Sequence, residues 1–183
     1  MKEIEDYLGR VLVSQEEIRR MTAELGARIT NDYKGKELVL IGVLKGGFLF
    51  MADLVREIRL PITMDFIAVS SYGSSTKTSG VVRLIKDVDV PLDGKHVILV
   101  EDIIDTGLTL TYLKELFGTR NPLSVSICTA FDKPSRRKVD LKAEYTGITV
   151  PDEYVIGYGL DYDGVMRNLP ELYVLNEDII RNK

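Results

Sequence analysis

Leu38-Val39-Leu40-Ile41-Gly42-Val43-Leu44-Lys45-Gly46-Gly47-Phe48-Leu49-Phe50-Met51-Ala52-Asp53-Leu54-Val55-Arg56-Glu57-Ile58 is the stretch on which the fold turns. Leu38 to Val43 is a continuous apolar run of strand length. A pair of glycines follows, and then Phe48, Met51, Leu54, Val55 and Ile58 recur at helical spacing as far as Pro61. An unbroken apolar strand that feeds directly into an amphipathic helix belongs in a parallel sheet, whose faces are both covered by crossover helices. The pattern repeats downstream. Met64 to Val69 reads as a second strand, and Val97 to Val100 as a third that leads into a helix marked by Leu108, Leu110, Leu113 and Leu116. Leu123 to Ala130 reads as a fourth strand. Upstream, Ser14 and Glu17 stand in capping-box spacing, and Ile18, Met21, Leu25 and Ile29 share one face until Lys34-Gly35 stops the helix. The fold class predicted is therefore α/β, doubly wound, with helices on both faces of a mainly parallel sheet.

Composition bounds what such a fold can do. A chain of 183 residues with 45% hydrophobic and 28% charged residues matches one ordinary globular domain, residues 1–183. A net charge of -4 provides no global attraction for nucleic acid or anionic lipid. The single cysteine, Cys128, excludes an internal disulfide framework and a multi-cysteine zinc site, and it reads as a core residue of the fourth strand. The single histidine, His96, excludes two-histidine metal motifs and reads as an exposed residue at a strand start. Proton chemistry is thereby left to carboxylates. The acidic N-terminus and the lack of a long apolar segment lead us to expect a cytoplasmic protein with no membrane partner.

In α/β sheets of this kind, ligands bind beyond the carboxyl ends of the strands. The densest polar constellation there is Val97-Ile98-Leu99-Val100-Glu101-Asp102-Ile103-Ile104-Asp105-Thr106-Gly107-Leu108-Thr109. Two adjacent carboxylates at the end of a buried strand are costly unless a cation or a hydroxyl-rich ligand compensates them. Taken alone they read better as acids decorating a helix N-terminus. Asp105 to Thr109 adds small residues, hydroxyls and backbone N–H groups where the next helix begins, which makes a cradle for a phosphate. Carboxylates beside an anion cradle suit a sugar phosphate.

This run resembles the phosphoribosyl-pyrophosphate (PRPP) motif of type I phosphoribosyltransferases, and the resemblance extends over residues 10 to 175. It implies that Glu101 and Asp102 address the ribose hydroxyls, and that Asp105, Thr106, Gly107, Leu108 and Thr109 wrap the 5′-phosphate. It further implies that Asp105 acts as general base or acid at purine N7. Lys45-Gly46-Gly47 is similar to the pyrophosphate loop of the hypoxanthine-guanine members, with an expected cis peptide between Leu44 and Lys45, and Arg167 would pair with pyrophosphate. Ser71 and Tyr72 open a polar stretch similar to the family's lid loop, residues 71–83, whose arms are Ile62 to Val69 and Val81 to Ile85. Lys133, Tyr154, Val155 and Asp161 resemble the purine-binding hood: lysine to O6, aromatic ring on the base, main chain to the base edge, carboxylate to metal. Tyr154 stands where phenylalanine is frequent.

The implied organisation is a core at about 36–135 and a hood from the N-terminal segment and about 150–175. The implied reaction is Mg2+-dependent transfer from PRPP to hypoxanthine or guanine, giving IMP or GMP and pyrophosphate, with Glu101, Asp102 and Asp161 as metal-binding residues. A homodimer or homotetramer is expected, and nucleic acid is not expected as a partner. Two alternatives stay open on the residues: a phosphoribosyltransferase for another base, and an RNA-binding regulator of the same fold that uses Arg136-Arg137-Lys138 as a basic face.

Overall fold

The computed structural model describes residues 3–71 and 82–181. Its elements are α1 (Ile4–Tyr7), β1 (Leu8–Val13), α2 (Gln15–Asp32), β2 (Leu38–Leu44), α3 (Phe48–Glu57), β3 (Ile62–Ser71), β4 (Val82–Lys86), β5 (His96–Ile104), α4 (Leu108–Gly118), β6 (Ser124–Asp132), β7 (Tyr145–Thr149), β8 (Val155–Ile156), β9 (Leu172–Leu175) and α5 (Glu177–Arg181), with a 3-10 turn at Pro134–Arg136. Six strands form the main sheet in the order β4-β3-β2-β5-β6-β7. All are parallel except β4, which returns antiparallel along the upper part of β3.

Alternation along the central strands explains why they read as unbroken apolar runs. Leu38, Leu40, Ile98 and Val100 pack with Ile18, Met21 and Leu25 of α2 and Phe50, Met51 and Leu54 of α3. Val39, Ile41, Val43, Val97 and Leu99 pack on the other face, with Leu110, Leu113 and Phe117 of α4. Each such side chain contributes about 1.5–3 kcal/mol when fully buried, and the buried polar exceptions, Thr22, Ser126 and Thr129, each have a hydrogen-bond partner. The capping box at Ser14 is formed, with Glu17 N–H donating to the Ser14 hydroxyl and the Glu17 carboxylate accepting from the Ser14 N–H.

Two readings need correction. The third strand does not stop at Val100. It keeps its pairing with β6 through Glu101↔Thr129, Ile103↔Phe131 and Ile104↔Asp132, so both carboxylates lie within the strand. His96 is half-buried rather than exposed, with Nδ1 2.8 Å from the Ser124 hydroxyl and its ring edge-on to Tyr33. It sits at the amino end of β5, remote from the carboxyl-end loops.

A small second sheet, β1-β9-β8, stands over those carboxyl ends around Ile156, Leu169, Leu175 and Ile179. It joins the first strand of the chain to the last. Cys128 is fully buried, and burial pushes its thiol pKa up. Among the described residues no helix is long and apolar enough to cross a membrane.

Candidate active site

Strands β2, β5 and β6 are neighbours, so their carboxyl ends bring three loops together: Lys45–Gly47, Asp105–Gly107 and the segment after Asp132. The first loop turns tightly. The Leu44–Lys45 peptide is cis, Gly47 N–H donates to the Val43 carbonyl at 3.0 Å, and Lys45 is exposed at the tip. Gly46 lies flat against Asp102, so close that a Cβ there would fall 1.6 Å from Asp102 Oδ2. Only glycine fits that approach.

Glu101 and Asp102 are each 9% exposed. Burial holds the Glu101 carboxyl well above the usual carboxylate range, and the adjacent Asp102 charge adds to the effect. Burial raises Asp102 as well, against its hydrogen bonding to Glu101 and to the Ile103 N–H and against the charge of Arg167. Two buried acids side by side are a poor resting arrangement and a good receptor for hydroxyls or a cation.

Beyond them the chain enters α4 through Gly107, whose φ of 82° is left-handed and which offers no capping side chain of its own; the Leu108 N–H donates to the Thr106 hydroxyl at 3.4 Å. The hollow walled by Glu101, Asp102, Asp105, Thr106, Gly107 and Thr109 has a volume of about 190 Å3. Backbone N–H groups, hydroxyls and the positive end of a helix meet there, which is the chemistry of an anion site.

A larger cavity of about 520 Å3 adjoins it and shares Asp102, Ile103 and Asp105. Lys133, Tyr154, Val155, Asp161 and Arg167 line the rest, together with Arg136. Lys133 is 8% exposed and donates to the Glu153 carbonyl at 2.6 Å; burial lowers its pKa, opposed by the charges of Asp105 and Asp152. Tyr154 is exposed and meets Tyr162 edge-on, leaving its ring available to a flat ligand. Val155 is buried in β8 opposite Val174. Asp161 accepts from the Gly164 N–H at 2.7 Å and from Arg167 Nη2 at 2.6 Å, while Arg167 Nη1 donates to the Gly159 carbonyl at 2.6 Å. Asp161 and Arg167 therefore form one unit.

The structure thus brings Glu101, Asp102, Asp105, Thr106, Gly107, Thr109, Lys133, Tyr154, Val155, Asp161 and Arg167 around two joined hollows, with the Lys45–Gly47 loop against Asp102; Leu108 begins α4 and lies outside both walls. Tyr72 lies outside the described residues, as does most of the lid stretch. Ser71 ends β3 and its backbone pairs with Val82.

Sequence reading gave Arg136 and Arg137 no place in the site; the cluster read as solvated surface, and as a basic face only for the RNA-binding alternative. Arg136 Nε is 2.8 Å from Asp105 Oδ1, and its Nη1 is 3.4 Å from Asp152. Arg137 pairs with Asp132 and donates to the Asp105 carbonyl at 2.7 Å. Two of the three charges in the supposed basic face are therefore paired, within the loops of the site. The available signal was the three carboxylates, Asp105, Asp132 and Asp152, near a double arginine, but nothing local pairs residues 31 apart in the chain.

Comparison with known proteins agrees with this geometry. The phosphoribosyl transferase domain family matches residues 12–163. The chain is 50% identical over 176 residues to a hypoxanthine-guanine phosphoribosyltransferase of Streptococcus thermophilus, covering 96% of this chain and 98% of that one. It is 52% identical over 168 residues to the enzyme of that name from Bacillus subtilis, covering 92% and 93%. A crystal structure of a hypoxanthine phosphoribosyltransferase from Staphylococcus aureus superposes with a TM-score of 0.93 at 43% identity, over 98% of both chains.

Proposed function

The chain belongs to the phosphoribosyltransferase family, among the hypoxanthine-guanine enzymes, and from that premise we propose that it moves the 5-phosphoribosyl group of PRPP to hypoxanthine or guanine, releasing pyrophosphate and forming IMP or GMP. The observation that carries this reading is the junction of the two hollows at Asp105. A phosphate cradle opens on one side of that carboxylate, and a cavity with a buried lysine and an accessible aromatic ring on the other.

The chemistry follows from the placement. The N–H groups and hydroxyls of residues 105–109 hold the 5′-phosphate, and Glu101 and Asp102 accept from the ribose hydroxyls, which offsets their desolvation. Lys45 and Arg167 grip the pyrophosphate, Arg167 through a fork already oriented by Asp161. Tyr154 stacks on the purine, the Val155 main chain meets the base edge, and Lys133 donates to O6. A 6-amino group facing that lysine would oppose donor to donor, so adenine is a poor substrate. As N9 bonds to the ribose carbon and pyrophosphate departs, Asp105 accepts the proton from N7; for this it exchanges its Arg136 contact for the base. Ser71 and Tyr72, by the family likeness, belong to the segment that shields the reacting carbon from water.

Glu101, Asp102 and Asp161 supply hard oxygen donors suited to Mg2+, which commonly takes one or two carboxylates and completes its shell with phosphate and water. Among the described residues no group of three or more His, Cys, Asp or Glu side chains forms a ready-made cage, so substrate oxygens would complete the shell. When bound, Mg2+ offsets the charge that accumulates on the pyrophosphate. Assembly as a homodimer or homotetramer in the cytoplasm completes the proposal, and sedimentation analysis tests the first part.

The deciding experiment offers PRPP and Mg2+ with hypoxanthine, guanine, xanthine, adenine or uracil in separate reactions. Nucleotide from the 6-oxopurines and little from adenine is expected. No nucleotide from any purine sinks the proposal.

A further inference from the structure

The pyrophosphate end of the substrate, on the function proposed above, is held by two segments from distant parts of the chain. One is the loop Lys45–Gly47, from which α3 departs. The other is the hairpin that runs from Gly157 to Leu169 and carries Asp161 and Arg167. These segments touch: a Cβ on Gly159 would fall 2.1 Å from the Gly46 carbonyl oxygen. Their spacing must therefore be held closely, yet among the described residues neither the sheet ladder nor a salt bridge joins them.

Tyr158 does. It stands between Gly157 at φ 97° and Gly159 at φ 99°, and it has a φ of 46° itself, a backbone setting that a tyrosine rarely adopts. Its N–H donates to the Leu169 carbonyl at 2.9 Å, and the next residue, Gly159, donates to the Arg167 carbonyl at 3.0 Å. The side chain is 4% exposed and runs under the site. Its ring meets Phe131 edge-on, two residues before Lys133. Its hydroxyl donates to Asp53 Oδ2 at 2.8 Å, and Asp53 is also paired with Arg56 within α3. One hydroxyl thus ties the hairpin that holds Arg167 to the helix that follows Lys45–Gly47.

We propose that the Tyr158–Asp53 hydrogen bond is the strut that sets the distance between the pyrophosphate loop and the Arg167 hairpin, which makes Tyr158 and Asp53 positioning residues for the pyrophosphate end of the substrate. The purine contacts proposed for Lys133, Tyr154 and Val155 come from the ends of β6 and β8, outside this hairpin, so removing the hydroxyl bears first on the pyrophosphate end.

The test uses Tyr158→Phe, which keeps the ring against Phe131, with Asp53→Ala, Asp53→Asn and the double variant Tyr158→Phe/Asp53→Ala. Two quantities are measured: the affinity for magnesium pyrophosphate by calorimetry, and steady-state constants with PRPP and hypoxanthine varied in turn. Tyr158→Phe and Asp53→Ala should each weaken pyrophosphate binding and raise the KM for PRPP by about three- to tenfold, as loss of one hydrogen bond does. The KM for hypoxanthine and kcat should stay within about twofold, because those interactions are untouched. Asp53→Asn keeps an acceptor and should largely rescue binding, and the double variant should be no worse than either single one. A parallel rise in the KM for hypoxanthine, additive losses, or unchanged pyrophosphate affinity with only a lower Tm would each overturn the strut. A wild-type protein that makes no nucleotide sinks the proposed function instead, and the pyrophosphate titration still judges the strut.

Discussion

Replacing Gly46 with alanine tests the closest contact in the site. The added methyl would sit 1.6 Å from Asp102 Oδ2 and 2.5 Å from its Cγ, so one partner must retreat by more than an ångström. Asp102 has little room to do so. It is 9% exposed, and its Oδ1 accepts from the Ile103 N–H at 2.8 Å. If the carboxyl rotates away, that hydrogen bond is lost at a cost of about 1–3 kcal/mol. If the Lys45–Gly47 loop moves instead, overpacking of this kind costs about 1–3 kcal/mol and displaces Lys45, the cation proposed to grip the pyrophosphate. If about 1–3 kcal/mol of that cost falls on binding to PRPP, the loss is roughly five- to 160-fold in kcat/KM for that substrate. The KM for the base should change little. Gly118→Ala is the matched control: nothing lies within 4 Å of its Cβ position at the end of α4, and the variant should be unchanged in rate and up to about 1 kcal/mol more stable. Steady-state kinetics with PRPP varied at saturating hypoxanthine, alongside thermal unfolding, gives both quantities. A Gly46→Ala enzyme within twofold of the parent in kcat/KM for PRPP would refute the close-approach argument and with it the placement of the pyrophosphate beside Asp102.

Three further outcomes are expected. Asp105→Asn should lower kcat by about 10²–10⁴-fold with a smaller effect on the KM for PRPP, and unchanged turnover would defeat its role as base. Lys133→Ala should cost more with hypoxanthine and guanine than with adenine, and since Lys133 also holds the Glu153 carbonyl, a stability loss of about 1–2 kcal/mol should accompany it; equal losses for all bases would remove its specificity role. The third concerns pH. Burial and the Asp102 charge raise the Glu101 carboxyl in the folded protein, so the folded chain retains a proton that the unfolded chain, with a glutamate pKa of about 4.3, has released. Stability of the ligand-free protein therefore falls as pH rises from about 4.3 through the raised folded value. Glu101→Gln should flatten that slope and match or exceed the parent Tm at neutral pH while binding PRPP more weakly. A Tm that depends on pH as steeply as in the parent would count against it.

How far the fold could be read follows from the same physics. Strands β2 and β5 were legible because both faces are buried, so Leu38 to Val43 and Val97 to Val100 had to be apolar throughout; β6 was legible from Val125, Ile127, Cys128 and Ala130, although Ser126 and Thr129 are buried among them. The end of β5 was not legible. Two acids after four apolar residues look like the start of a loop, and only the ladder to Thr129, Phe131 and Asp132 shows that the strand carries them inward. That difference bears on the chemistry, since acids within a strand are buried and displaced in pKa, whereas acids in a loop are solvated and ordinary.

The site divides in the same way, by chain separation. The cradle from Asp105 to Thr109 is local: five consecutive residues, one left-handed glycine and a helix start suffice to recognise an anion site. Contacts that orient the charged groups are not local. Arg136 reaches Asp105 across 31 residues, and Tyr158 reaches Asp53 across 105. A cluster written Arg136-Arg137-Lys138 has the same spacing whether it faces solvent or folds back on three aspartates, and periodicity cannot separate these cases. Burial and pairing can. Arg137 is 16% exposed in its side chain and bonded to Asp132 and to the Asp105 backbone, so it stiffens the very loop that presents the carboxylate assigned to proton transfer. Residues that make chemistry possible by touching substrate are announced by their type and local setting, while residues that hold them in place are ordinary in the sequence and acquire their role only from the fold.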